Sequence, residues 1–263
     1  MKEPETASLV NWKAFWNFHL GSWKGRWARY QPTGELSETF LSCRSFSADP
    51  HKKCINQLNQ YLYDDGQNVK KEWNYSFLEH CKEDGFMHPA SDYMRGLAFK
   101  NGAAAWLVPQ LILNQYFPME LFLANKNVRL SVGMLYGLNG ALERIACIRE
   151  QRNNLVQSTW SDDVQMIPSW DIGNNWRGIT NTIDATLNRS RVAGTFEMTS
   201  QPGDNEYFFP DNIILRCPER LSFNKPFEIS SIWLESNNQL RTIMASYGAD
   251  SSLIDVRLQH LSR

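Results

Sequence analysis

The sequence predicts an all-β fold: two antiparallel β-barrels in tandem, the second smaller, behind a short N-terminal helix. Three observations point there. Aromatic residues are abundant, with 10 Trp, 9 Tyr and 14 Phe among 263 residues, and aromatics suit strands and line apolar cavities. Period-two alternation recurs in short runs separated by turn residues, as in sandwiches and barrels. After residue 168 the pattern begins again.

The chain is organised around Gly21–Tyr30. Successive strand side chains point to opposite faces, so Trp23, Gly25, Trp27 and Arg29 share one face and Lys24, Arg26, Ala28 and Tyr30 the other. The face with both indoles reads as inward, with Trp23 plugging the closed end. Gly25 leaves room there for a large ring and permits a bend. Residues 1–8 read as a tail and 9–20 as a helix, with Val10, Ala14 and Phe18 on one face and Trp12, Phe15 and Trp16 beside it. Further strands are expected at 36–46, 53–63, 69–77, 97–106, 111–124, 128–136 and 142–150, giving about eight in all.

Residues 151–168 are polar and aperiodic and read as a linker between a barrel over 9–150 and another over 169–263. Gly173-Asn174-Asn175-Trp176-Arg177-Gly178 echoes Gly21-Ser22-Trp23-Lys24-Gly25. The run from Arg241 to Tyr247-Gly248 echoes that from Arg129 to Tyr136-Gly137. A duplicated barrel accounts for both.

Net charge is -1 and the pI about 6.5, a field too weak to suggest nucleic acid or an anionic membrane as partner. No run approaches the roughly 18 apolar residues of a spanning helix. The acidic, polar N-terminus is unlike a signal peptide. The five cysteines are scattered and odd in number, which suggests reduced thiols and a cytoplasmic location. No phosphate loop, nucleophile elbow or zinc-protease motif is present, and no metal or cofactor is expected.

Gly21-Ser22-Trp23 resembles the G-x-W signature of lipocalins, and Arg149 sits where their last strand supplies an arginine over that tryptophan. The whole chain resembles a two-domain, lipocalin-like (calycin) family of uncharacterised, mainly cyanobacterial proteins. The resemblance rests on residues 19–25, the run 140–150 ending Ile148-Arg149-Glu150, Phe209-Pro210-Asp211 through Arg216-Cys217-Pro218, and Pro226-Phe227 with Trp233-Leu234. It implies the barrel fold. Among calycin relatives are carriers of hydrophobic ligands, bilin lyases, and pathway cyclases or isomerases. The second half departs from G-x-W by one residue.

The candidate ligand wall is Trp27 and Arg29, two and four residues above Trp23, joined by Trp73, Phe77, Trp106 and Phe122. An inward Arg29 needs a partner: a ligand carboxylate or enolate oxygen, or a glutamate. In Lys71 to Phe77, Trp73, Tyr75 and Phe77 share the aromatic face, and Tyr75 either packs the core or orients a ligand carbonyl. Glu120 has two readings. With Met119, Leu121 and Leu123 inward it is solvated; with Phe122 inward it enters the pocket, where a buried carboxyl suits acid–base work. The charged stretch 79–88 reads as an exposed loop or barrel-mouth lid, with His88 an acid or base beside the ligand.

Two functions fit. One is binding of a hydrophobic or polycyclic small molecule in a barrel cavity, with cofactor-free cyclisation or isomerisation in a specialised-metabolite pathway. The other is a bilin or pigment carrier, or a bilin lyase. A homodimer is open.

Overall fold

The computed structural model describes residues 5–155, 157–196 and 203–263; residues 1–4 of the expected tail and Val156 of the expected linker lie outside these. The first half contains α1 (Ala7–His19), β1 (Gly21–Tyr30), β2 (Leu36–Ala48), β3 (Cys54–Tyr63), β4 (Asn68–Ser76), α2 (Phe77–His80), β5 (Cys81–Lys82), β6 (Gly85–His88), β7 (Ser91–Ala98), β8 (Ala104–Leu107), β9 (Phe117–Asn125), β10 (Val128–Tyr136) and β11 (Leu142–Arg152). The second contains β12 (Arg177–Asp184), β13 (Arg189–Thr195), β14 (Asp204–Phe209), β15 (Ile213–Pro218), β16 (Phe227–Ser236), β17 (Gln239–Tyr247) and β18 (Leu253–Ser262).

The protein is all-β as expected. An 11-stranded antiparallel meander curls into a nearly closed barrel, and a second sheet has seven strands. The two are wired alike. In each, the first strand pairs with the last: β1 with β11, and β12 with β18. The edges of the first sheet are β4 and β5, joined by the single turn of α2.

Two expected strands are shorter than the sequence pattern suggested. The apolar run 97–106 is β7 and β8 separated by a turn, because Lys100-Asn101-Gly102 lets Gly102 take φ +90° beneath the ring of Phe18. The run 111–124 becomes strand only from Phe117, since Asn114 adopts a left-handed conformation in a loop. The charged stretch 79–88 is not an exposed loop. It forms the end of α2 and the hairpin β5–β6, which pairs with β7.

Helix α1 is capped by Thr6, whose side chain accepts a hydrogen bond from the Leu9 amide at 3.2 Å. Its buried face is Trp12, Phe15, Trp16 and His19, at the i, i+3, i+4, i+7 spacing of one helical stripe, with Ala14 buried beside them, while Val10 and Phe18 of the expected stripe are half-buried. Asn11 beside it is fully buried and bonds both Gly96 O and the Ala98 amide, each at 2.8 Å, pinning α1 to β7. The barrel floor is therefore a plug of α1 aromatics together with Trp23.

Both halves build that end in the same way. The Trp23 indole donates to His19 O at 2.9 Å and the Trp176 indole to Ile172 O at 3.1 Å. A guanidinium at the C-terminal end of each sheet's last strand, within β11 or just past β18, covers each ring, Arg152 at 3.9 Å and Arg263 at 4.5 Å. Gly21 and Gly173 both have positive φ, and a side chain at either would strike that arginine. The extra residue before Trp176 thus leaves the closure intact. The β11 arginine over Trp23 is Arg152, its direct register partner, and not Arg149; Arg129 of β10 also lies over the ring, at 4.3 Å. Strand alternation turns Arg149 outward, to Asp211, Ser161 and Asp163 O.

The outer faces of β9 and β10 pack against β16 and β17 in one buried cluster that includes Leu121, Leu123, Val132, Ile229, Ile243 and Ala245. Tyrosine hydroxyls tie its margins, Tyr136 to Pro218 O at 2.9 Å and Tyr247 to Val108 O at 2.8 Å.

Candidate functional site

Inside the first barrel lies a cavity of about 590 Å³, within the range that holds one small molecule. Its deep end is charged. Glu150, on β11, faces Gly25 of β1 in register. A methyl on Gly25 would fall 2.1 Å from Arg149 O and 2.7 Å from Glu150 Cγ, so this glycine makes room for a glutamate and its strand rather than for an aromatic ring. Arg44 from β2 and Arg129 from β10 both bind Glu150. Arg44 Nε donates to Oε1 at 2.6 Å and its Nη2 to Oε2; Arg129 Nε donates to Oε2 at 2.6 Å. Arg129 Nη1 donates to His19 Nδ1 at 2.6 Å, and the other His19 nitrogen bonds Gly102 O at 3.1 Å. His19 is therefore neutral, with its proton on Nε2.

The electrostatics follow from burial. Burial alone would raise the Glu150 carboxyl, but Arg129 and Arg44 hold it down at about 2. Burial opposes the charge on Arg44, yet Glu150 by charge and hydrogen bond, with Glu120, lifts it above the ordinary arginine value. Arg129 fares differently: desolvation outweighs what Glu150 returns, and its guanidinium drops to about 10. Burial and then the two arginines push His19 well below an ordinary histidine.

Glu120 points into this cavity. Its carboxylate accepts from Ser131 Oγ at 2.6 Å and lies 3.6 Å from Arg44 Nη1. The orientation that brings Phe122 inward is the one adopted, because Met119, Leu121 and Leu123 bury their own face outside the barrel against the second sheet.

One wall carries a hydrogen-bonded row. Tyr75 OH donates to Gln57 Oε1 at 2.8 Å, Gln57 Nε2 to Asn59 Oδ1 at 3.0 Å, and Asn59 Nδ2 to Tyr61 OH at 2.7 Å. Burial, then the nearby Glu120, raises the Tyr75 phenol above its ordinary value. Around it stands an aromatic cage. The His88 ring lies 5.4 Å from Trp73, 5.7 Å from Tyr75 and 5.3 Å from Trp106. His88 Nδ1 accepts from the Ala90 amide at 3.1 Å, which leaves Nε2 as the proton-bearing nitrogen. Burial, and then His80, lower His88 to about 4, so it is neutral at pH 7.

Of the sequence candidates, Trp27, Trp73, Tyr75 and His88 line the cavity, as do Trp106, Glu120 and Phe122. Two do not. Arg29 climbs past the cavity to an ion pair with Glu38 and lies over the Phe40 ring at 4.8 Å, so its partner is a protein carboxylate. Phe77 leaves the β4 alternation because it begins α2, and it packs on Trp12 outside the cavity. The charged group, Arg44, Arg129, Glu150 and His19, went unseen in the sequence. The signal available was Arg44, an arginine sharing the alternating face of the aromatics Phe40 and Phe46. Among the described residues no cluster of metal-ligating side chains forms, and no helix is long and apolar enough to cross a membrane.

A family described as "Domain of unknown function (DUF3598), N-terminal" matches residues 8–155, over half of the chain. The chain belongs to the DUF3598 family. A crystal structure of a DUF3598 protein of unknown function from Nostoc punctiforme is 17% identical, covers 96% of this chain and 98% of its own, and superposes with a TM-score of 0.73. That likeness shows a shared fold. An S-type phycobiliprotein lyase from Guillardia theta is 11% identical over 57% of this chain and 96% of its own, with a TM-score of 0.38, too slight to carry chemistry across. No curated protein matches the sequence. For this DUF3598 member, function has to be argued from the cavity.

Proposed function

We propose that the first barrel of this DUF3598 protein binds one amphipathic small molecule, polycyclic or isoprenoid in size, and performs cofactor-free proton-transfer chemistry on it, a cyclisation or isomerisation in a specialised-metabolite pathway. The observation that carries this is a single cavity with an aromatic cage on one wall and a buried charged group at its deep end. Apolar walls exclude water and stabilise positive charge on a reacting carbon skeleton. Glu120 is the carboxylate placed to take a proton. The His88 Nε2–H donates to a ligand carbonyl or hydroxyl, and Tyr75, whose own proton goes to Gln57, offers its oxygen as an acceptor to a ligand hydroxyl. The free state of all five cysteines supports a reducing compartment such as the cytoplasm.

A pigment carrier or bilin lyase is the second reading, favoured by the flat rings of Trp27, Trp73 and Trp106 around one space. Native mass spectrometry with an absorbance scan, on protein incubated with extract of its source cells, separates the two. A colourless bound mass, or a product mass growing with time, supports the first. A bound mass with visible absorbance supports the second. No bound species, with no fluorescence gain on titrating cis-parinaric acid, refutes both.

A further inference from the structure

The deep end of the cavity holds two guanidiniums against one glutamate. Arg44 and Arg129 converge on Glu150 from neighbouring walls, and their recorded hydrogen bonds use Nε and Nη2 of Arg44 and Nε and Nη1 of Arg129. Two nitrogens are left over. Arg44 Nη1 reaches only to 3.6 Å from Glu120. Arg129 Nη2 is buried, in a side chain 1% exposed, and makes no hydrogen bond to any described residue. A buried guanidinium donor without an acceptor is a destabilising arrangement, and such exceptions call for an explanation.

Charge around the cavity leans the same way. Arg44, Lys71, Arg129 and Arg144 line it, against one lining carboxylate, Glu120. Glu150 offsets one of the two deep arginines, and Glu38 and Glu143 lie near Arg144 at the mouth. The weakly held Arg129 charge, stacked 4.3 Å from the Trp23 ring, is the one whose desolvation Glu150 leaves uncompensated.

We propose that the ligand is an acid, whose carboxylate enters first and docks between Arg44 and Arg129 while its apolar body lies against the Trp73–Trp106 wall. This inference rests on the binding function proposed above and names its substrate class. A carboxylate offers one oxygen to each of the two spare donors, Arg44 Nη1 and Arg129 Nη2, in charge-assisted hydrogen bonds. It also fixes the pose. With the head at the deep end, the part of the skeleton within reach of His88 and Tyr75 is the body of the molecule, not its acid group.

The test compares each acid with its own methyl ester, which keeps the body and removes the charge. The probes are cis-parinaric acid for a linear chain and abietic acid for a rigid polycycle, with affinities read by tryptophan quenching and native mass spectrometry at pH 7.5. The acid of at least one pair should bind about 10- to 100-fold more tightly than its ester, the difference expected of a charged hydrogen bond made in a dry site. Arg129→Lys should shrink that ratio below about 3-fold, whereas Arg144→Gln and Lys71→Gln should preserve it. Equal binding of acid and ester in the wild type overturns the inference and leaves the binding function standing, and it needs no variant to fold. A ratio that collapses only in the Arg144 or Lys71 variants overturns the assignment to the deep arginines. Binding of neither member of either pair removes both the inference and the function beneath it.

Discussion

Replacing Glu150 by glutamine tests the charged group at the base of the barrel. The side chain is 1% exposed and answers two guanidiniums at once. Its carboxyl falls from an ordinary 4.5 to about 2, which corresponds to about 3 kcal/mol of folding free energy at neutral pH. Removing one member of a buried ion pair costs about 3–5 kcal/mol by general experience. The two routes agree. Glutamine keeps one acceptor oxygen, so the loss expected at pH 7 is at the lower end, about 3 kcal/mol. The sign with pH is fixed as well. A depressed carboxyl contributes stability that is complete above 4.5, where the unfolded chain is also ionised, and that fades as pH falls through the folded value. The gap between wild type and Glu150→Gln should therefore be full at pH 7, narrow below pH 4.5 and vanish near pH 2. Urea unfolding followed by tryptophan fluorescence at a series of pH values measures it. A gap under 1 kcal/mol at pH 7, or one that does not change with pH, would refute the claim that this group is desolvated and coupled.

Other perturbations have equally direct readouts. Gly25→Ala places a methyl against the β11 backbone and should lower stability by about 1–3 kcal/mol in a thermal melt, while an alanine at the open turn position Gly66, which has no atom within 4 Å of its Cβ, meets only backbone strain. Trp73→Ala removes a half-buried cage ring at the margin of the α1 core cluster and should weaken cis-parinaric acid binding by about tenfold, beyond the modest lowering of the melting midpoint that its lost packing brings. His88 and His260 both titrate near 4 in the folded protein, lowered by burial and then by His80 and Arg241 respectively. Each contributes stability that is complete above 6.5 and lost as pH falls toward 4, so His88→Phe should show a smaller drop in melting temperature between pH 7 and pH 4 than the wild type.

Much of the barrel was legible because one face of β1 repeats Trp, Gly, Trp at period two, and because the echo at Trp176 marks a second closure built on the same indole-to-carbonyl bond. What the sequence left undecided has a common cause. Strand β9 is buried on both sides, by the cavity at Glu120 and Phe122 and by the second sheet at Met119, Leu121 and Leu123. Alternation then reports two apolar faces and cannot say which is inside. The same ambiguity hid Arg149, whose parity turns it outward, and Arg152, which takes the place over Trp23. The Glu150 group was beyond reach for another reason: its members come from α1, β2, β10 and β11, and only strand register brings them together. His88 was misplaced as a loop residue because strands β5 and β6 are too short, at two and four residues, to show a period.

The seam between β4 and β5 has a kinetic meaning. Everywhere else around the first barrel, parting two strands means breaking a backbone ladder. Across this seam the turn of α2 stands in for a ladder, and the packing is ring against ring: Trp73 of β4 on His88 of β6 at 5.4 Å, with Trp12 of α1 bridging behind them to Phe77 of α2 at 5.6 Å and Phe86 of β6 at 5.8 Å. Side chains rearrange far faster than sheets unzip. For the ligand proposed above, entry and escape would be gated by the same rings that hold it, tying residence time and affinity to one set of contacts, and amides of β4 should exchange with solvent well before those of β1 or β11.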